Sequence, residues 1–391
     1  MALTPIRRVV TGNDARGRSK VVWDGPSPGT HEAQLPGADG GQVKGRGHTD
    51  FWVWRETPPP LDGKEDAGLW DDEFPCPVGG GHQRVVHWLA KTAESPPNQP
   101  YKSPEPHGRT WDRGGGNHYN RSYMHKTKSV DYGIMISGER VMELDDCTLT
   151  LKPGDIVIDV GAWHLWDSSA EGCLMAFDMF DAEFVDGPAG TAQGNDKPLR
   201  PPENQQLPAG VKPQRRIVAI DRVAGKSSLV GDTASPDVRT DPARPGFALQ
   251  RMWVVDGFPA QLVYETLHLP HVLVPPAKGS VLNVVTFPPD AAWQGKVGAA
   301  EVAAWFKSVD SPGASTYSPQ APHPYMQKTR TLDFCIVLEG EIVLVLDAQE
   351  VPLKAGEIVV QRGTNHAWSN RSGKPAVVAI ASHGAKQVGA I

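Results

Sequence analysis

Residues 123–166 and 325–368 carry the same pattern twice. Gly138-Glu139 aligns with Gly340-Glu341, Gly154 with Gly356, Gly161 with Gly363 and His164 with His366, all at one constant offset and without a gap. A match of this length marks an internal duplication, and two copies mean paired domains rather than a solenoid. The similarity extends upstream. Arg7-Arg8 precedes an apolar run as Arg215-Arg216 does, and Phe51-Trp-Val-Trp54 corresponds to Met252-Trp-Val-Val255.

The local pattern selects short strands. Val141-Met-Glu-Leu-Asp and Ile342-Val-Leu-Val-Leu-Asp read as near period-two alternation or short buried runs, with Pro153-Gly-Asp and Ala355-Gly-Glu as turns between strands. The 41 Gly and 36 Pro punctuate these runs, the profile of a turn-rich all-β protein. One helix is expected around Ala299 to Lys307, where Val302, Trp305 and Phe306 share a face. Residues 183–212, rich in Gly, Pro, Asn and Gln, read as a linker between an N-terminal domain at 1–182 and a C-terminal domain at 213–391. Two long segments, Thr57 to Gly81 and Ser95 to Asn120, give little structural signal and are expected to be lids or binding loops. The two arginine pairs are expected to meet acidic groups of their own domains.

Composition narrows the partners. A net charge of -6 without a clustered Lys/Arg run argues against nucleic acid and anionic membranes. No stretch approaches the roughly 20 apolar residues of a membrane helix, and the N-terminus lacks the apolar core of a signal peptide. The four cysteines are scattered with no Cys-x-x-Cys, so a reducing cytoplasmic setting is expected.

The chemistry-bearing residues fall inside the repeat. His125 and Thr127, two apart on a strand, share a side. If that side faces a barrel interior, the next strand brings Asp131 alongside and a later one adds His164. Two imidazoles and a carboxylate on a facial arc, with open positions, are the ligand set of non-haem Fe(II) sites, and they also suit Mn(II) or Zn(II). Thr127 is a candidate to hydrogen-bond a ligated water. His118, in a Gly-rich loop beside the motif, is a candidate acid/base, with a solvated loop histidine as the plain alternative. Trp163 is a candidate substrate platform, since the second copy has Asn365 there. In that copy Gln327, Asp333 and His366 make a poor site, because an amide oxygen is a weak, neutral ligand beside imidazole.

The stretch resembles the two-part motif of the cupin superfamily: His-x-His, a short gap, Glu, six residues and Gly, then Gly, about five residues and Pro-x-Gly-x-x-His. His125 and Thr127 occupy the two histidine places, Asp131 the glutamate place and Gly138 the closing glycine. Gly154, Gly161 and His164 form the second part, one residue short. Gln327, Thr329, Asp333, Gly363 and His366 hold the corresponding places in the other half. Thr127 departs from the family's second His, and Asp131 is one methylene shorter than Glu. The resemblance implies a bicupin, two tandem double-stranded β-helix (jelly-roll) barrels with a few short helices. It also implies one divalent metal, Fe(II) favoured, held by His125, Asp131 and His164. The expected function is a metal-dependent, Fe(II) dioxygenase-like enzyme whose small organic substrate chelates through an enol, phenol or carboxylate. A lyase, isomerase or decarboxylase on the same site, or a non-catalytic small-molecule-binding bicupin, are the rivals. A homodimer is plausible for such a chain.

Overall fold

The computed structural model describes residues 3–33, 35–36, 42–43, 45–70, 74–91, 95–184, 206–223, 225–263 and 265–387. The expected linker at 183–212 falls largely outside this set. Its described ends are the last residues of the strand Cys173–Glu183 and an irregular approach to the strand Arg215–Val223.

Two large sheets and two three-stranded sheets form a pair of jelly-roll barrels. One large sheet runs in the order Lys226–Ala234, Arg215–Val223, Ile156–Val160, Ser129–Ser137, Cys173–Glu183, Gly81–Trp88, Gly47–Trp54 and Gly29–Glu32. The other runs Val238–Thr240, Ala248–Val255, Ser280–Phe287, Ala376–Gly384, Thr331–Glu339, Ile358–Arg362, Arg7–Asn13 and Ser19–Pro26. Each is closed into a barrel by a small sheet. Arg140–Glu143 lies between Thr148–Leu151 and Leu165–Ser168 in the first, and Glu341–Leu346 between Glu350–Lys354 and His366–Ser369 in the second.

Both faces are buried along the central strands of the large sheets, and the side-chain alternation shows how. Along Thr331–Glu339, Phe334 and Ile336 enter an apolar cluster drawn from both halves, whereas Cys335 and Val337 enter the second barrel's own interior. Along Ser129–Ser137, Tyr132 and Ile134 join the shared cluster, while Met135 faces the first barrel. The large sheets thus pack against each other through one set of faces and line separate barrels with the other. That is why these strands read as continuous apolar runs rather than clean alternation. Polar contacts cross the slab as well: Tyr132 Oη lies 2.6 Å from Ser280 Oγ, and His383 Nε2 lies 2.8 Å from Asp178 Oδ2.

The halves exchange their opening hairpins. Arg7–Asn13 runs parallel to Ile358–Arg362 of the second half, and Arg215–Val223 runs parallel to Ile156–Val160 of the first. The arginine pairs pin this exchange, which corrects the expectation that they serve only their own domains. Arg7 binds Asp24 of its own hairpin and also Glu357, at 3.0 Å, and the Pro352 carbonyl across the chain. Arg215 repeats the arrangement with Asp232, then Asp155 at 2.7 Å and the Thr150 carbonyl. Arg8 and Arg216 stay local, on Asp66 and Glu265. Each arriving hairpin thus brings one cation to an acid of its own hairpin and to the matching acid of the other half.

The helix Ala299–Ser308 buries Val302, Trp305 and Phe306, as its spacing predicts. The segment Ser95 to Asn120 is more ordered than expected. It contains the hairpin Tyr101–His107 and Thr110–Gly114, which pairs onward with His125–Thr127. Pro104 and Pro106 hide it from a propensity reading, yet Tyr101–His107 is an edge strand, where a missing N–H is tolerated. Among the described residues no helix is long and apolar enough to cross a membrane.

Phe334 is fully buried between the two large sheets. Phe334→Ala is expected to cost about 3–5 kcal/mol in urea denaturation while unfolding stays a single transition for the whole chain. Independent melting of an unaffected first half would contradict a shared slab.

Candidate metal and substrate site

A cavity of about 730 Å³ opens in the first barrel. Its floor is the inner face of the large sheet. Its walls include Trp88, Trp166, Phe177 and Tyr123, and its mouth takes Phe74, Trp111 and His118 from the two long segments expected to be lids.

His125 and His164 stand side by side in it. Their backbones exchange hydrogen bonds, with the His125 N–H donating to the His164 carbonyl at 2.9 Å and the reverse bond at 2.8 Å. This pairing brings the ring centroids to 4.3 Å. Gly161 makes the preceding turn at φ 60°, and a Cβ there would meet Leu262 Cδ1 at 2.6 Å. Both imidazoles are oriented through Nδ1. In His125 it lies 2.7 Å from the Tyr123 carbonyl, and in His164 it lies 2.9 Å from the Ala162 carbonyl and 2.6 Å from Asp159 Oδ2. That leaves Nε2 on each ring as the available nitrogen, the arrangement in which a second partner fixes the tautomer of a metal-ligating histidine.

Electrostatics separate the two rings. Burial pushes His125 down to about 3, and the charge of His164 adds to the effect. Burial pushes His164 down too, but the charge and hydrogen bond of Asp159 outweigh it and the net shift is upward. Asp131 also lines the cavity. Burial, then the nearby charge of Asp159, raises its carboxyl to about 7. Its Oδ1 is buried without a hydrogen-bond partner. A cation beside it would supply what desolvation removes.

The other expected site residues are placed as follows. Thr127 is buried and accepts a bond from Ser129 Oγ at 2.9 Å, and it does not line the cavity. Trp163 is also outside the cavity lining, packed with Met124 and Leu165 under the Arg113 guanidinium. Trp166, 5.4 Å from the His164 ring, is the tryptophan on the cavity wall. His118 is at the mouth, ring on ring with Tyr123 at 3.7 Å, its pKa lowered by desolvation and then by Arg46. Asp131 does not close on both imidazoles. Among the described residues, the trio of potential metal donors that all come within 4.8 Å of one another is His31, His48 and Asp50, and that group could hold a metal ion.

Three features went unread in the sequence. Asp159 backs His164, and the signal was its replacement by Gln361 at the repeat offset. Arg46 and Arg140 lie against Trp88, at 3.5 and 4.3 Å from its centroid. Arg140 is fully enclosed, also facing Trp166 at 4.7 Å, and burial lowers its pKa to about 10. His48-x-Asp50, two apart on one strand, was the signal for the third group.

The second barrel keeps the frame and loses the space. Gln327 and His366 repeat the backbone exchange at 2.8 and 2.9 Å, and their side chains meet at 3.3 Å. Asp333 lines the same pocket, raised to about 6 by burial, while burial lowers His366 to about 4. That pocket measures about 30 Å³, room for little more than a water.

Comparison with known proteins agrees with this architecture. Residues 313–382 match the family model for the cupin domain, and the first half repeats the same frame around His125 and His164. The match places a cupin domain in the second half of a chain whose two halves share one jelly-roll frame. A 48-residue stretch, 12% of this chain, is 56% identical to Phomopsin biosynthesis cluster proteins C' and D of Diaporthe leptostromiformis. A 50-residue stretch is 48% identical to Oryzines biosynthesis cluster protein J of Aspergillus oryzae. These matches span about a quarter of the length of those relatives, 25% and 28%. Among solved structures, Ylba from E. coli aligns over 93% of this chain and 91% of its own at 10% identity, TM-score 0.38. An oxalate decarboxylase variant from Bacillus subtilis aligns over 92% and 76% at 10% identity, TM-score 0.34.

The Asp131 shift fixes a sign. A carboxyl whose folded pKa is raised destabilises the fold as pH climbs from its unfolded value, near 4, to its folded value, about 7. Metal-free protein is expected to lose thermal stability across that window, and Asp131→Asn is expected to flatten the loss. An unchanged pH profile in the variant would contradict the assignment.

Proposed function

We propose that the chain is a metal-dependent enzyme acting on a small organic molecule in the first barrel, with Fe(II) dioxygenase-like chemistry. The observation that carries it is the His125 and His164 pair, each held through Nδ1 with Nε2 left free, beside the unpartnered Asp131 oxygen. The donor set fits a divalent ion of the Fe(II), Mn(II) or Zn(II) kind: two imidazoles, with a buried carboxylate to balance charge. His125 and His164 would hold the ion and Asp131 its charge. A bound ion would supply Lewis acidity and a template, and Fe(II) in addition the redox capacity that oxygen chemistry needs.

The chain's own residues set the rest. Trp88, Trp166 and Phe177 make walls for a flat or apolar substrate body, and they exclude water from it. The positive charges of Arg46 and Arg140 on the same side favour an anionic substrate such as a carboxylate or enolate. His118 stands at the mouth as the candidate acid/base group, its pKa lowered by desolvation and then by Arg46. The similar fungal proteins are named for biosynthesis clusters, which accords with small-molecule chemistry.

Elemental analysis of the purified protein is expected to find iron or manganese that a His125→Ala/His164→Ala variant lacks at this site. Oxygen uptake with candidate phenolic or enolic acids is expected to fall at least a hundredfold in the same variant. Turnover without oxygen consumption would move the assignment to a lyase, isomerase or decarboxylase. No metal after anaerobic reconstitution would overturn the metal-dependent reading.

A further inference from the structure

The edge of the same sheet presents a second set of ligands. His31 and His48 are direct partners across the antiparallel pair Gly29–Glu32 and Gly47–Trp54. Their rings stack at 4.8 Å with 29° between planes. Asp50 follows His48 by two residues and shares its face. The Nε2 atoms of His31 and His48 lie 3.4 and 3.6 Å from one oxygen, Asp50 Oδ2.

These distances are long for hydrogen bonds. They match the spacing of two ligands on a common ion, since donors about 2.1 Å from a tetrahedral metal sit about 3.4 Å apart. Asp50 is prepared for that role. It is inaccessible to solvent, and Arg84, its cross-strand partner, donates to Oδ1 at 2.9 Å. Oδ2 is buried with no hydrogen-bond partner. A buried carboxylate oxygen left unpaired is costly, and here it is flanked by two imidazole nitrogens.

We infer that His31, His48 and Asp50 form a second divalent-cation site at the cavity rim, separate from the His125 and His164 pair. The separation follows from the sheet. Three strand steps divide Gly47–Trp54 from Ser129–Ser137, the strand of Asp131, roughly 14 Å at the usual strand spacing. Cooperating catalytic metals sit about 3.5–4 Å apart, so this ion serves another purpose. It ties the edge strand Gly29–Glu32 to its neighbour and leaves coordination positions open toward the cavity, where His31 and His48 contribute to the lining. Two imidazoles and one carboxylate select a zinc- or iron-like ion over calcium or magnesium.

The test is Co(II) titration of the full chain, followed by visible absorption and by metal analysis after desalting. The unaltered protein is expected to take up two ions per chain. His31→Ala/His48→Ala and His125→Ala/His164→Ala are each expected to take up one. Asp50→Asn, nearly isosteric and still able to accept from Arg84, is expected to weaken the rim ion at least tenfold, which keeps the test available if the double alanine variant misfolds. Zn(II) is also expected to raise the melting temperature of the His125→Ala/His164→Ala variant. Rim variants that bind as much cobalt, as tightly, as the unaltered protein would overturn the inference. Loss of cobalt in the rim variants alone, with full retention in His125→Ala/His164→Ala, would uphold the rim site and sink the metal centre of the proposed function.

Discussion

Each large sheet is extended at one edge by a hairpin that the other half of the chain supplies. Arg7–Asn13 extends the second large sheet and Arg215–Val223 the first, so each complete sheet draws on both halves. The exchange reaches the sites. Asp221, on the hairpin lent by the second half, takes the Lys126 ammonium at 2.6 Å and the Trp163 N–H at 3.0 Å. It therefore braces the residues next to His125 and His164. In the other direction Thr11 lies against Gln361 and Thr364 beside His366. The buried slab between the sheets then holds both barrels in register, and the cavity inherits its shape from that packing.

Duplication fixed the frame, and a few replacements divided the roles. The backbone exchange at His125 and His164 recurs at Gln327 and His366 within 0.1 Å or so, taking 2.9 and 2.8 Å against 2.8 and 2.9 Å. Asp159 lies 2.6 Å from His164 Nδ1, whereas its repeat counterpart Gln361 accepts from Thr11 and Thr364, and His366 Nδ1 meets the Thr364 carbonyl. Space follows the same division: about 730 Å³ in the first barrel against pockets of about 50 and 30 Å³ in the second, where Phe287 and Trp368 fill the interior. The second barrel keeps the fold and gives up the binding volume.

The architecture was legible because period-two runs, turn glycines and a gap-free repeat all pointed to paired jelly rolls. The helix at Ala299–Ser308 was legible from three apolar residues on one face. The hairpin exchange was not, because a parallel pairing between Val9 and Val359 leaves no local mark in either strand. Within the site, the spacing of the repeat brought out His125, His164 and Asp131. Sequence spacing carries no side-chain reach, so it did not show that a shortened Asp131 stays apart from both imidazoles. Nor did it show Trp166 rather than Trp163 on the cavity wall. Asp159, Arg140 and the trio His31, His48 and Asp50 depend on which strands become neighbours, and only the folded sheet supplies that.

The central claim is that the His125 and His164 imidazoles of the first barrel share a metal ion. Anomalous diffraction at a metal absorption edge, from crystals of protein reconstituted anaerobically with Fe(II), tests it directly. The account predicts a peak about 2.0–2.2 Å from Nε2 of both His125 and His164, with the Asp131 carboxylate turned toward it. A first barrel with no peak between those rings, or a peak at Gln327 and His366 instead, would contradict it.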